Sequence, residues 1–297
     1  MKKIQQLAII GATASGKSGA SIEIASRTDG YILSLDSLSI YKEIDIASAK
    51  PSLNERAGIV HFGIDEIYPN EPFDVTKFIE LYQKAYNQAQ KNNKTLIIVG
   101  GSSFYLKMLL DGVSRLPHIS SQTLAKTQEG LQNLHKSYAM LLALDGKYMA
   151  NIASNDCYRI EKALNIYFET GLVPSNYFTQ NPPQAIIQDP LPLYSINTNR
   201  EILRERIKLR THQMVENGII DEVAYLEKKY TRSPNPMKSI GIKETLEYLD
   251  GRYCKETMIE KISTNTARLA KRQNTFNNSQ FQDVIKISLE DLYKIEV

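Results

Sequence analysis

Residues Gly11-Ala12-Thr13-Ala14-Ser15-Gly16-Lys17-Ser18 fit the pattern GxxxxGK[ST] at every fixed position. In a chain of 297 residues of average composition, a chance match has a probability on the order of 1%. The chemistry open to such a stretch is anion binding. Its glycines let the backbone turn so that successive N–H groups point inward, and a helix starting nearby adds its positive end. Lys17 supplies a cation for the outer phosphate, and Ser18 offers a hydroxyl ligand to Mg²⁺. A di- or triphosphate site is therefore expected across Gly11–Ser18. The owner of the phosphates stays open, because ATP, GTP and a prenyl diphosphate present the same oxygens. A nucleoside triphosphatase needs a second Asp closing an apolar strand to anchor its metal, and Asp36 stands in such a place.

The elements around these residues read as a parallel α/β sheet. Leu7 to Ile10 is a strand-length apolar run entering the glycine loop, and Ser18 to Arg27 reads as the helix after it. Tyr31 to Leu35 is a second strand, closed by Asp36-Ser37. Thr95 to Val99 is a third, closed by Gly100-Gly101-Ser102. Between them, Asp74 to Asn92 carries Phe78, Leu81, Tyr82, Ala85 and Ala89 at helical spacing. Strand, helix, strand is the pattern of a parallel sheet, which binds ligands at the carboxyl ends of its strands. Gly11–Ser18, Asp36-Ser37 and Gly100–Ser102 should converge on one rim. The paired glycines further suggest close approach of backbone and ligand.

From 118 to 180 the texture is helical. Pro174, Pro182-Pro183, Pro190 and Pro192 punctuate its end, and Leu191–Ile196 reads as the chain returning to the sheet. Helices follow from Arg200 to Phe276. The fold expected is α/β: a parallel sheet core with a phosphate loop, flanked by helices, and a mostly helical insertion. The core would take residues 1–115 and 190–297, and the insertion 116–189.

Bulk properties narrow the setting. Hydrophobic residues make up 42% and charged residues 23%, as in an ordinary soluble protein. A net charge of +3 is too small to advertise a nucleic-acid partner, so that partner must be argued from local faces. Cys157 and Cys254 lie far apart and fit free thiols in a reducing cytosol. His61, His118, His135 and His212 show no ligand spacing. No signal peptide or membrane span is read, so a cytoplasmic protein is expected. From Lys261 to Gln282 there is no acidic residue, while Arg268, Lys271 and Arg272 share a helical face. Such a stripe fits a phosphate backbone, although charged stripes are usually just solvated.

Six further segments carry a resemblance. Asp36-Ser37-Leu38-Ser39-Ile40-Tyr41, then Asp45-Ile46 and Ala49-Lys50-Pro51, is similar to the DSxxIY…DIxxAKP signature of the tRNA dimethylallyltransferase family. Val99 to Tyr105 resembles its VGGTxxY, and Asn155 to Leu164 its NDxxRIxRALE. Arg206-Ile207-Lys208-Leu209-Arg210, with Met214 and Gly218, resembles RIxxRxxxMxxxG. Ser239 to Glu244 resembles AIGYKE, and Ala270 to Phe276 resembles AKRQxTW. The segments stand in the family's order and span nearly the whole chain. Tyr158 replaces a usual Gln, Lys162 an Arg, and Phe276 a Trp; Leu124 falls near a basic position.

The resemblance implies transfer of a dimethylallyl group from dimethylallyl diphosphate to N6 of the adenosine 3′ of the anticodon, at position 37. The tRNAs would be those reading codons that begin with U. The resemblance also implies an ATP- or nucleotide-type phosphate loop, Mg²⁺ held through Ser18, and diphosphate held by Gly11–Ser18. Asp36 would be the base, with Lys17, Ser102 and Arg210 as further catalytic groups. The tRNA anticodon stem-loop would touch Asp36, Ser37, Leu38, Ser39, Ser102, Tyr158, Arg159, Lys162, Lys243, Arg268, Lys271 and Arg272. An unpaired base is the natural target, since it must leave its stack to reach a buried site. Tyr41 and Tyr105 are candidates for stacking on RNA. A monomer is expected. Rival readings are an enzyme prenylating free AMP, ADP or ATP, and a small-molecule kinase on the same loop.

Overall fold

The computed structural model describes residues 4–296, which form two compact units, residues 4–107 with 187–296, and residues 108–186. In the first unit β1 (Gln6–Ile10) leads through the glycine loop into α1 (Lys17–Arg27). β2 (Tyr31–Ser34), β3 (His61–Phe62), α2 (Val75–Asn92), β4 (Leu96–Gly100) and the start of α3 (Ser103–Asp111), whose last four residues belong to the second unit, follow. The second unit holds α4 (Ser121–Leu131), α5 (Leu134–Leu144), α6 (Gly146–Met149), α7 (Cys157–Thr170) and α8 (Pro174–Gln180). The first unit resumes with β5 (Leu193–Ile196), α9 (Arg200–Glu216), α10 (Ile219–Tyr230), α11 (Ile242–Leu249), α12 (Lys255–Gln280), β6 (Ile285–Ile287) and α13 (Leu289–Leu292).

Among the described residues six strands form one sheet in the order β3-β2-β4-β1-β5-β6, with each pairing parallel. The central strands are buried on both faces, which is why β1 and β4 read as unbroken apolar runs. Leu7, Ile9, Ile24, Ile32 and Ile97 build the core at 0–1% exposure. Burying each such side chain contributes about 1.5–3 kcal/mol. Asp74 caps α2 by accepting from the Lys77 N–H at 3.0 Å, and the helix buries the apolar face its spacing predicted. Among the described residues no helix is long and apolar enough to cross a membrane.

The second unit has its own core of Leu141, Met149, Ile152, Ile160, Ala163 and Leu164. A buried hydrogen bond from Thr127 Oγ1 to Asn165 Oδ1 (2.7 Å) ties α4 to α7. Asp145 caps α6 and also accepts from the Ser175 N–H at 2.7 Å, which sets the start of α8.

The edge strands β3 and β6 were not foreseen. At two and three residues they are too short to show any alternation, and only pairing with β2 and β5 makes them strands.

Candidate active site at the carboxyl ends of the strands

The phosphate loop leaves β1 at Gly11. Ala14 takes φ +63° and Gly16 φ +93°, and α1 begins at Lys17. The loop closes on itself: the Ser15 N–H and the Lys17 ammonium both donate to the Ala12 carbonyl, at 3.3 and 2.5 Å. Lys17 also reaches Ser15 Oγ at 3.2 Å. Its side chain lies buried, and among the described residues no carboxylate bonds to it. Burial lowers its pKa from 10.5 to about 7; the nearby Arg210 pushes the same way, and Asp36 opposes both. The site therefore holds unmet affinity for an anion. Ser18 is exposed on the first turn of α1.

Asp36 follows β2 on the same rim. Its Oδ1 accepts from the backbone N–H groups of Leu38 (2.8 Å) and Ser39 (3.1 Å), which fixes the carboxylate and leaves Oδ2 clear of both bonds. Asp36 is close enough to raise the affinity of both Lys17 and Arg210 for their protons. Ser102, after β4, donates its N–H to the Leu35 carbonyl at 2.9 Å, and its hydroxyl lies 3.5 Å from the exposed Ser37 hydroxyl. Asp36, Ser37 and Ser102 thus stand together. Ser39 is only 5% exposed.

Arg210, on α9, points back at this rim. It donates to Thr13 Oγ1 at 3.4 Å and to the Ala49 carbonyl at 3.1 Å. Burial lowers its pKa, against the pull of Asp36. Arg206, one turn earlier and exposed, donates to the Ala14 carbonyl at 3.5 Å.

A fixed carboxylate, a buried ammonium and a half-buried guanidinium on one rim suit a reaction in which an anion departs while a neighbouring group loses a proton. The family model described as IPP transferase matches residues 39–280. The chain belongs to the IPP transferase family. It is 60% identical to the tRNA dimethylallyltransferase of Sulfurovum sp. (strain NBC37-1), covering 98% of this chain and 97% of that protein. It is 40% identical to the tRNA dimethylallyltransferase of Helicobacter pylori (strain ATCC 700392 / 26695), covering 96% and 91%. Among solved structures it is similar to the full-length tRNA isopentenylpyrophosphate transferase of Bacillus halodurans, with a TM-score of 0.69 and 28% identity over 98% of this chain and 94% of that one. It also shares the fold of a eukaryotic dimethylallyltransferase acting on tRNA, with a TM-score of 0.83 and 24% identity over 97% of this chain and 75% of that one.

Other residues of this IPP transferase family member fall as follows. Arg268, Lys271 and Arg272 are all exposed on α12. Arg268 and Lys271 line a groove of about 1130 Å³ between α9 and α12, whose floor includes Leu203, Ile207 and Ala270; Arg272 is not part of its lining. Ala12 packs into the same apolar cluster, so the groove backs onto the phosphate loop. Lys243 is exposed on the first turn of α11. Tyr158, Arg159 and Lys162 lie on α7 in the second unit. There Tyr158 is 67% exposed, Arg159 pairs with Asp156 at 3.5 Å, and the Lys162 ammonium stands 5.2 Å from the centre of the Tyr158 ring.

Three expectations need revision. Gly100 and Gly101 do not make room for a ligand. A Cβ on Gly100 would sit 2.6 Å from the Leu35 carbonyl oxygen, and one on Gly101 would collide with the Gln273 side chain. The glycines let β2 and α12 close on the end of β4. Tyr41 is 5% exposed and cannot stack on a base. Tyr105 is already stacked on Phe78, with ring centroids 4.7 Å apart, and burial raises its hydroxyl pKa to about 12.

Gln273 was missed. Its Oε1 accepts from the Thr13 N–H at 2.8 Å, holding the tip of the phosphate loop from α12. The AKRQ segment contained it, but only the basic residues there drew a function from charge.

Among the described residues no group of three or more His, Cys, Asp and Glu could hold a metal ion. Mg²⁺ bound to a diphosphate keeps several waters and takes most of its other ligands from phosphate oxygens. The exposed Ser18 hydroxyl at the start of α1 is a donor of the right kind.

Proposed function

We propose that this protein transfers the dimethylallyl group of dimethylallyl diphosphate to N6 of the adenosine at position 37 in tRNAs reading codons that begin with U. The observation that carries this reading is a carboxylate, Asp36, fixed by the Leu38 and Ser39 N–H groups at a strand end on the same rim as the phosphate loop, to which Arg210 reaches through Thr13 Oγ1. The loop N–H groups, Lys17 and Arg210 take the diphosphate, with Ser18 as protein ligand to Mg²⁺. Mg²⁺ would neutralise part of the charge gathering on the leaving group.

The N6 amine attacks the allylic carbon. A C–N bond forms, the C–O bond to diphosphate breaks, and diphosphate leaves with the electron pair. The amine proton passes to the Asp36 carboxylate, through the oxygen that the turn leaves clear. Lys17 and Arg210 stabilise the departing charge, and they do so in a buried setting where charges act strongly. Ser102 and Ser37 contact the target nucleotide, with Leu38 and Ser39 beside them. Lys243, Arg268, Lys271 and Arg272 meet the RNA backbone, as do Tyr158, Arg159 and Lys162 of the helical insertion. The enzyme works as a monomer in the cytoplasm.

The test is prenylation with labelled dimethylallyl diphosphate and Mg²⁺, offering tRNA or AMP. Label is expected in tRNA, released by digestion as N6-(dimethylallyl)adenosine. Faster labelling of AMP would overturn the choice of acceptor. Phosphate transfer from ATP without prenyl transfer would overturn the reaction.

A further inference from the structure

Arg210 has one short contact at the rim, and it is to the backbone of a distant turn. The bond to Ala49 O is 3.1 Å, against 3.4 Å to Thr13. Arg210 also stands near Lys17, which repels it when protonated. The Ala49 carbonyl, together with Thr13 Oγ1 and the Asp36 charge, holds Arg210 against that repulsion. The direction of that carbonyl depends on a backbone conformation that alanine disfavours, since Ala49 has φ +48°. Such a residue keeps its conformation only where the surroundings impose it.

Two side chains impose it. Lys50, with its side chain 4% exposed, binds the Tyr41 carbonyl (2.9 Å), Asp45 (2.8 Å) and Asp65 (2.6 Å). Glu222, on α10, takes three successive backbone N–H groups on one carboxylate. Oε2 accepts from Asp45 (2.9 Å) and Ile46 (2.7 Å), and Oε1 accepts from Ala47 (2.9 Å). This is a backbone anion nest filled by the protein's own side chain. The Ile46 carbonyl in turn accepts from the Ala49 N–H at 2.9 Å. A continuous path runs from Glu222 through residues 45–47 to Ala49 and on to Arg210.

We infer that Glu222 is a positioning residue for prenyl transfer, clamping the 45–49 turn so that the Ala49 carbonyl holds Arg210 against the phosphate loop. Glu222 touches neither the loop nor Asp36 through any of these bonds; it acts through Arg210. The inference rests on the reading of Arg210 as a cation for the leaving diphosphate.

A double-mutant cycle on single-turnover tRNA prenylation tests it, using Glu222→Ala, Arg210→Gln and the double variant. Glu222→Ala is expected to lower the rate by about 10- to 100-fold, the scale of a misplaced catalytic group. KM for tRNA should stay within about twofold of wild type, because the RNA-facing surface is unchanged. In the Arg210→Gln background the same substitution should change the rate less than about twofold, the non-additivity of groups acting as a unit. An equal factor in both backgrounds would overturn the inference, as would a wild-type rate for Glu222→Ala. A wild-type rate for Arg210→Gln alone would overturn the underlying reading as well, so the two failures are distinct. If Glu222→Ala does not fold, by circular dichroism, Glu222→Gln replaces it. It keeps size and burial but sets an amide N–H against backbone N–H groups, and it carries the same expectations.

Discussion

Two stretches of backbone meet at Arg210, and they are held in opposite ways. The phosphate loop at 11–18 is closed chiefly by its own residues, through Ala12, Ser15 and Lys17, with Gln273 accepting one further bond at its tip. The turn at 45–50 is closed by Lys50 and by Glu222, the latter 177 positions from Asp45. Both contain an alanine at positive φ, Ala14 and Ala49. The first is shaped by local glycines and an anion-seeking helix start. The second is shaped by a remote carboxylate. A loop of the first kind is recognisable in sequence and depends little on distant residues, whereas one of the second kind is unrecognisable and depends on them.

The predictions press on that contrast. The largest effect is expected at the carboxylate between the two stretches. Asp36→Asn keeps an acceptor for Leu38 and Ser39, so the turn survives while the base is lost. The prenylation rate should fall by about 10²–10⁴, with the far-ultraviolet spectrum unchanged. A rate within tenfold of wild type would remove Asp36 from the chemistry.

Next comes the local loop. Lys17→Met should lower the rate by about 10²–10³, as loss of one preorganised positive group does. It should also raise thermal stability, for a reason with a definite sign. Lys17 has a pKa of about 7 when folded and 10.5 as its reference. Below pH 7 both states hold the proton, and the folded state bears the full penalty of the buried charge. Between 7 and 10.5 the folded state has released its proton and the unfolded state has not, so stability rises with pH. The variant should therefore melt above wild type at pH 6, with the gap closing towards pH 10. Melts over that range check it, and a gap that widens with pH would contradict the assignment.

The same group links binding to protons. Diphosphate holds Lys17 charged, so binding above pH 7 takes up about one proton. Affinity should weaken by up to about tenfold per pH unit there. Calorimetry in buffers of different ionisation enthalpy reads this directly, and buffer-independent heats at pH 8 would exclude it. The smallest effect is expected at the tip of the loop. Gln273→Ala leaves the Thr13 N–H without its acceptor, a loss of about 1 kcal/mol or roughly fivefold in diphosphate affinity. No change would mean that α12 does not support the loop.

These two stretches also mark how far the sequence could be read. The phosphate loop, Asp36 at the end of β2 and Ser102 at the end of β4 were legible because strand, turn and helix signals are local, and a parallel sheet places its strand tips on one rim. Arg210 had no such signal and was reached only through resemblance; its bonds to Thr13 and Ala49 appear when α9 packs. Glu222 was illegible, because an acid on an amphipathic helix looks like any solvated charge until three N–H groups converge on it. Gly100 and Gly101 suggest a ligand approach in sequence because glycine signals closeness without saying to what, and the structure puts Leu35 and Gln273 there. The short edge strands β3 and β6 exist only through their neighbours.

The most direct test of the central claim is mass analysis of tRNA nucleosides after incubation with the enzyme, dimethylallyl diphosphate and Mg²⁺. The account predicts one dimethylallyl group on the adenosine 3′ of the anticodon and one diphosphate released per group transferred. Unmodified tRNA from wild-type enzyme, or a prenyl group on any atom other than N6, would contradict it.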